Sequence, residues 1–146
     1  MAPLQLLLLC TVDSLVTEPT VIGKGAGVVQ ESRLVPGASV QGPRLSGTMR
    51  GKTNYDWMSA PPGIGILQVS AIITTIDGAS IQVRYEARGD ISGGTDYVTG
   101  YAAPVFSTAS PAYQWLNLVQ AVGCGMVWDD RFHWDWYEVS GVPSQR

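Results

Sequence analysis

Asp56 stands between two aromatic residues, in Tyr55-Asp56-Trp57. A carboxyl group flanked in this way can lose hydration, which raises its pKa and fits it for general-acid work near neutral pH. As a solvated loop residue or turn cap it would do none of this. Arg84 and Glu86 stand two residues apart, so on a strand they share a face. Facing a lumen, Glu86 is a buried acid and Arg84 its partner; facing water, both are ordinary surface charges. Tyr113, Trp115 and Asn117 also alternate. On a strand they make a flat wall with a hydrogen-bonding end, suited to an aromatic ligand, or else a core with a satisfied amide. His133 is the single histidine and shares its face with Asp135 and Tyr137. It is a candidate proton shuttle, although strand rise leaves a direct bond to Asp135 unassured. Trp128, Trp134 and Trp136 read as packing.

Other chemistries find no support. Gly-x-Ser-x-Gly and a phosphate-binding loop are absent. Gly23-Lys24-Gly25-Ala26-Gly27 lacks the strand-to-helix context of a dinucleotide site and reads as a flexible loop. One histidine and two cysteines, Cys10 and Cys124, without a Cys-x-x-Cys pair make a metal site improbable, and both cysteines read as reduced core thiols. Net charge is −3 and the nine Lys and Arg residues are dispersed, so nucleic acid is not an expected partner.

The elements that must position these groups are strands. Seventeen glycines and nine prolines suit short strands and tight turns. Leu4 to Val12 reads as a buried strand ended by Asp13-Ser14. It has neither the leading cations nor the cleavage site of a signal peptide and is too short to span a bilayer, so no membrane partner and a cytoplasmic location are expected. The stretch from Ser14 to Gly27 reads as loop or weak edge strand. Val28 to Val35 is a strand ending at Pro36-Gly37. Ala38 to Arg50 is extended, with a bulge or edge at Gly42-Pro43. Asn54 to Met58 is a short strand, and Ala60-Pro61-Pro62-Gly63 breaks the chain.

Ile64–Ile76 and Ala79–Arg88 flank Asp77-Gly78, the signature of a two-residue type I′ hairpin. That turn pairs Ile76 with Ala79, Ile72 with Val83 and Ser70 with Tyr85. The other face then mixes Val69, Ala71 and Ile73 with Gln82, Arg84 and Glu86. Tyr97–Phe106 and Tyr113–Val122 follow as strands. A last hairpin runs from Met126 through Asp129-Asp130 to Val139. Eight or more strands at this spacing predict an all-β fold, an antiparallel β-barrel with a central ligand cavity, lipocalin-like in general shape. Residues 1–139 form one domain and residues 140–146 a tail.

Six short motifs occur in order: Gly42-Pro43-Arg44-Leu45-Ser46-Gly47, Tyr55-Asp56-Trp57, Asp77-Gly78-Ala79, Pro104-x-Phe106-x-Thr108, Tyr113-x-Trp115-Leu116-Asn117 and Tyr137-Glu138-Val139. In these the chain resembles the family known as domain of unknown function 3237. The resemblance implies a single self-associating barrel with a central cavity. Some fungal members resemble cyclases of aromatic polyketide pathways, in which an oxygen adds across an alkene or enone to close an ether ring. Carried over by motif, Arg44, Asp56, Trp57, Tyr113, Trp115 and Asn117 match the family pattern; Glu86 and His133 lie outside it. Alanine at 102 and 103 departs from the pattern, where an arginine is common.

The reading that joins these strands is a cyclase or isomerase of a prenylated or polyketide phenolic, needing no cofactor. Asp56 or Glu86 would supply the proton, Arg44 would stabilise a phenolate, and Trp57, Tyr113, Trp115, Asn117 and His133 would hold the substrate. The rival is a non-catalytic carrier or sensor barrel, which needs no buried acid. A purely structural subunit of a homo-oligomer would have a filled lumen.

Overall fold

Apolar residues alternate from Leu67 to Ile73 and from Ile81 to Ala87, and this period of two builds the walls of the molecule. The computed structural model describes residues 3–141. Its strands are β1 (Gln5–Leu15), β2 (Thr20–Gly25), β3 (Val28–Gln41), β4 (Gly47–Met58), β5 (Ile64–Thr75), β6 (Ser80–Asp90), β7 (Tyr97–Ala102), β8 (Val105–Ser107), β9 (Ala121–Trp128) and β10 (Arg131–Ser140). Neighbours run β1-β10-β9-β7-β6-β5-β4-β3-β2, with β8 on β6. A further β1–β3 ladder, Thr11 to Asp13 against Gln41 to Ser39, closes the sheet into an antiparallel barrel. Closure removes most of the sheet's free edges.

The β5–β6 register differs from the sequence expectation by one residue. Ile73 pairs with Ile81, Ala71 with Val83 and Val69 with Tyr85. The loop is not two residues but three, Ile76-Asp77-Gly78, with Gly78 at φ 88°. Thr75 Oγ1 bonds the Asp77 carboxylate and receives the Ala79 amide, which holds this wider turn. The slip removes the mixed face altogether. From Leu67 to Ile73 and from Ile81 to Ala87 the inward residues are apolar or aromatic, with Thr75 the buried polar residue beyond them, and Arg84 and Glu86 turn to solvent. Burial of a continuous apolar face outweighs the turn's local preference. A two-residue turn with both central φ positive does occur, at Ala26-Gly27 between β2 and β3.

Other expectations change as well: Leu4 and Leu6 to Leu8 are exposed rather than buried, and the short strand at Asn54 is the end of the longer β4. β1 continues past Asp13-Ser14 to Leu15, and β3 runs through Pro36-Gly37 by a bulge between Val35 and Ala38. Tyr113 to Leu118 is no strand: Pro111–Leu118 is a 3-10 helix. Pro111 at its start suits the first turn of a helix, where no donor is needed. The final hairpin turns at Asp129-Asp130 as expected, and β10 ends at Ser140, paired with Gln5. Residues 142–146 of the expected tail lie outside the described residues.

The two ends of the barrel differ. At the base, the β3–β4 loop and the 3-10 helix insert Leu45 and Leu116, both fully buried. At the mouth, the β2–β3 turn and the β4–β5 and β6–β7 loops surround an open cavity of about 710 Å³.

Candidate active site

The lumen-facing residues of β3 and β4 include polar groups that alternation alone places inside. Glu31 and Arg33 point inward from β3, with Arg33 Nη2 3.1 Å from Glu31 Oε2. Arg33 also donates to the carbonyl of Asp129 in the β9–β10 turn and lies over the Tyr55 ring, 5.2 Å from its centroid. Thr53 and Tyr55 face it from β4. Across the lumen, Tyr85 meets Trp134 and Trp136 edge-on, with centroids 5.9 and 5.4 Å away. Among the described residues two carboxylates approach Arg33: the largely buried Glu31 and, at 4.0 Å, the exposed Asp129.

Among the described residues, six buried side-chain atoms lack a hydrogen bond of good geometry: Arg33 Nε, Thr53 Oγ1, Tyr55 Oη, Tyr85 Oη, Trp134 Nε1 and Trp136 Nε1, with Thr53 the neighbour of the Tyr55 hydroxyl and Trp134 that of the Tyr85 hydroxyl. All can donate, the three hydroxyls can also accept, and buried polar groups of folded proteins are nearly always paired. Burial pushes the Tyr55 phenol up, against the pull of the Arg33 charge. Burial pushes Tyr85 up as well, and more strongly. Both phenols therefore stay protonated and able to donate. Burial disfavours a bare negative charge here, so an acceptor oxygen entering the lumen would depend on direct hydrogen bonds from these groups and on the Arg33 charge.

A row of small residues shapes the approach from the mouth. Trp57 pairs with Gly65, Gly65 with Gly89, Gly89 with Gly100, Gly100 with Gly125, and Gly125 with Trp134. Four strands thus present hydrogen atoms where two indoles lie. A Cβ on Gly65 would sit 2.8 Å from Trp57 Cζ3, and one on Gly125 2.4 Å from Trp134 Cε3. Trp57 stacks on Tyr55, centroids 5.1 Å apart, and is shared by the mouth cavity and a deeper slot of about 20 Å³. That slot holds about one water. The roomy central cavity expected from sequence is thus replaced by a lumen largely filled with aromatic rings and a cavity displaced to the mouth. The mouth cavity has the volume of a small-molecule site.

Of the residues singled out from sequence, Trp57 lines this approach. Asp56, its neighbour, points to the outer wall, because alternation sends it away from Tyr55 and Trp57. Glu86 is also outside and bonds Arg88 at 2.9 and 3.2 Å. Neither acid reaches the lumen. Arg44, Tyr113, Trp115 and Asn117 gather at the opposite end, in the base cap. Arg44 pairs with Glu138 and lies 4.0 Å over the Trp115 ring. Tyr113 donates to Asp77 at 2.7 Å, and those bonds with Thr75 and Tyr113 hold the Asp77 carboxyl below its usual range. Asn117 accepts from the Thr108 amide at 2.8 Å and donates to its carbonyl at 2.9 Å. His133 sits on the outer wall between Asp13, at 2.6 Å, and Asp135, at 3.0 Å. Cys10 is a buried thiol, pushed up to about 12 by burial and by Asp135, whereas Cys124 is exposed rather than a core residue.

Five of the six sequence motifs therefore gather at the base, where Arg44, Asp77 and Tyr113 line a shallow open pocket of about 260 Å³, and only Tyr55-Asp56-Trp57 reaches the mouth. A model of a protein family of unknown function, DUF3237, matches residues 4–139. The chain belongs to the DUF3237 family. Solved structures share its barrel. A protein of unknown function from Clostridium acetobutylicum superposes with a TM-score of 0.82 at 18% identity, over 94% of this chain and 100% of that one. A β-barrel-like protein from Acinetobacter baumannii gives 0.77 at 25% identity, over 94% and 97%. An enzyme from Penicillium herquei gives 0.67 at 21% identity, over 95% of each chain. No curated protein matches the sequence. Among the described residues of this DUF3237 barrel, no helix is long and apolar enough to cross a membrane, and no group of three metal-binding side chains converges.

Proposed function

We propose that this DUF3237 barrel is a cofactor-independent cyclase or isomerase that closes an oxygen heterocycle on an aromatic polyketide-like substrate held at the mouth. The observation that carries the proposal is the set of six buried groups that can donate and lack a hydrogen bond of good geometry. They suit a carbonyl oxygen that becomes an enolate. Glu31, ion-paired to Arg33, replaces Asp56 and Glu86 as the proton-transfer group. It takes the proton of a substrate hydroxyl, and the oxygen adds to the β-carbon of an enone. The C=C electrons move to the carbonyl oxygen, which would enter the slot below Trp57, where Tyr55 and Trp134 supply a hydroxyl and an indole N–H to stabilise the charge. The Glu31 carboxyl then returns the proton to the α-carbon. One C–O and one C–H bond form, one O–H bond and one π bond break, and nothing is gained or lost. An enzyme among the proteins of the same fold supports this direction.

A carrier barrel is the second reading. The outward placement of Asp56 and Glu86 favours it, whereas the nearly filled slot favours the purely structural subunit. The test uses 2′-hydroxychalcone, whose ring closure is mass-neutral, followed by chiral chromatography. The cyclase reading expects an enantiomerically enriched flavanone, lost in Glu31→Gln and kept in Asp56→Asn and Glu86→Gln. Binding seen as tryptophan quenching, with product no faster than in buffer and racemic, would establish the carrier. Loss of turnover in the Asp56 or Glu86 variants would return the acid to the outer wall.

A further inference from the structure

We propose that the free edge of β1, from Gln5 to Leu8, is the interface on which a second copy of this chain pairs, strand to strand and antiparallel across a two-fold axis. This stretch lies at the base, away from the mouth, and the proposal stands apart from the catalytic reading.

The ladder explains why the edge is open. Gln5 to Leu8 bond to β10 alone, against Ser140 to Tyr137. β3 covers β1 only from Thr11 to Asp13 and then leaves at Gly42, which passes so close to the Leu9 carbonyl that a Cβ there would sit 2.1 Å away. Before that point one row of β1 backbone groups has no ladder partner among the described residues.

Side-chain chemistry decides what covers it. Leu4, Leu6, Leu7 and Leu8 are between 48% and 74% exposed. Leu4, Leu6 and Leu8 lie on one face of the ribbon and Leu7 on the other. An added strand covers both faces at once, since its side chains alternate; a ligand or helix seated on one face does not. No charge occurs between Pro3 and Val12. An oppositely charged partner has nothing here to select. An identical strand meets no like charge, and the contact is self-complementary as a two-fold requires.

The other outer strand supplies the contrast. β2 also carries exposed apolar residues, Val21 and Ile22, but it is blunted by a bulge between Val21 and Gly23, by Lys24 and by Gly25. These are the devices that keep a sheet edge from pairing. The leucine edge of β1 has no charge and no proline within the strand.

Light scattering coupled to size exclusion tests the proposal on the full chain. The wild type is expected as a discrete oligomer built on a dimer, and Leu6→Lys/Leu8→Lys as a monomer. Val21→Lys/Ile22→Lys on β2 should leave the assembly unchanged. A monomeric wild type, or an assembly that survives the β1 lysines, overturns it. Near-ultraviolet circular dichroism reports whether the lysine variant keeps its tertiary packing. If it does not, single cysteines at Gln5, Leu6 and Leu7 in a Cys124→Ser background decide. Disulfide-linked dimers at the position nearest the axis support the pairing, and their absence at all of these positions refutes it.

Discussion

Tyr85 shows what the lumen residues cost. Its ring is packed between Trp134 and Trp136, yet its hydroxyl is buried with no hydrogen bond of good geometry, the Trp134 indole being its nearest polar neighbour. An unsatisfied buried group costs about 1–3 kcal/mol. Tyr85→Phe keeps the ring and removes the stranded hydroxyl. It should stabilise the free protein by about 1 kcal/mol while weakening an acceptor ligand. Urea denaturation without ligand and tryptophan quenching with 2′-hydroxychalcone measure the two effects. A variant that is less stable would show that the hydroxyl is satisfied in solution. The residues that matter here were hard to see in the chain. Glu31 and Arg33 stand among Val28, Val29 and Val35, where a strand with one wet face explains them as well as a polar lumen does. The sign they left was parity: both charges share the face of Val29 and Val35, both of which turn inward. Asp56 attracted notice through its aromatic neighbours, but neighbours along a strand face opposite ways.

At the scale of elements, strand existence was legible and register was not. Alternation placed the β5–β6 hairpin and the final hairpin, because an apolar face must be buried whatever the turn does. Asp77-Gly78 suggested a tighter loop than the one formed, and a shift by one residue exchanged the two faces. The 3-10 helix was hidden because Tyr113, Trp115 and Asn117 alternate as a strand does, although here Leu116 alone is fully buried. The glycine row is a property of pairing across strands, so no window along the chain contains it. It makes a sharp prediction. Gly125→Ala places a methyl group against the Trp134 ring and should destabilise by about 1–3 kcal/mol, as overpacking does. Gly93→Ala, at a position open to solvent, is the matched control. Because the same methyl group would also lie 2.2 Å from the His133 carbonyl oxygen, equal melting temperatures for the two variants would mean that strand and indole both give way freely.

The whole molecule is a barrel with one stoppered end and one open end, closed along a seam where β1 meets β10 and β3. His133 ties that seam. Its hydrogen bond to Asp13 on β1 is the main cause raising its pKa above 6.5, with further support from Asp135 and some opposition from burial. A pKa raised by folding adds stability that is complete below about 6.5, the unfolded value. That stability is lost as pH rises through the folded value. The melting temperature of the wild type should therefore exceed that of His133→Gln most near pH 5 and least in alkali. A difference that is flat with pH, or grows in alkali, would mean that the imidazole stays neutral. Because the histidine is partly exposed, added salt should reduce the difference.

The two indoles over the glycine row have a last implication. At that level of the barrel, free space is set by the torsions of Trp57 and Trp134 and not by the separation of strands. Rotating one side chain changes the depth of the opening while every ladder bond stays in place. Occupied and empty forms should then coincide in their Cα traces and differ in rotamers, and the informative signals are indole ring resonances and fluorescence anisotropy.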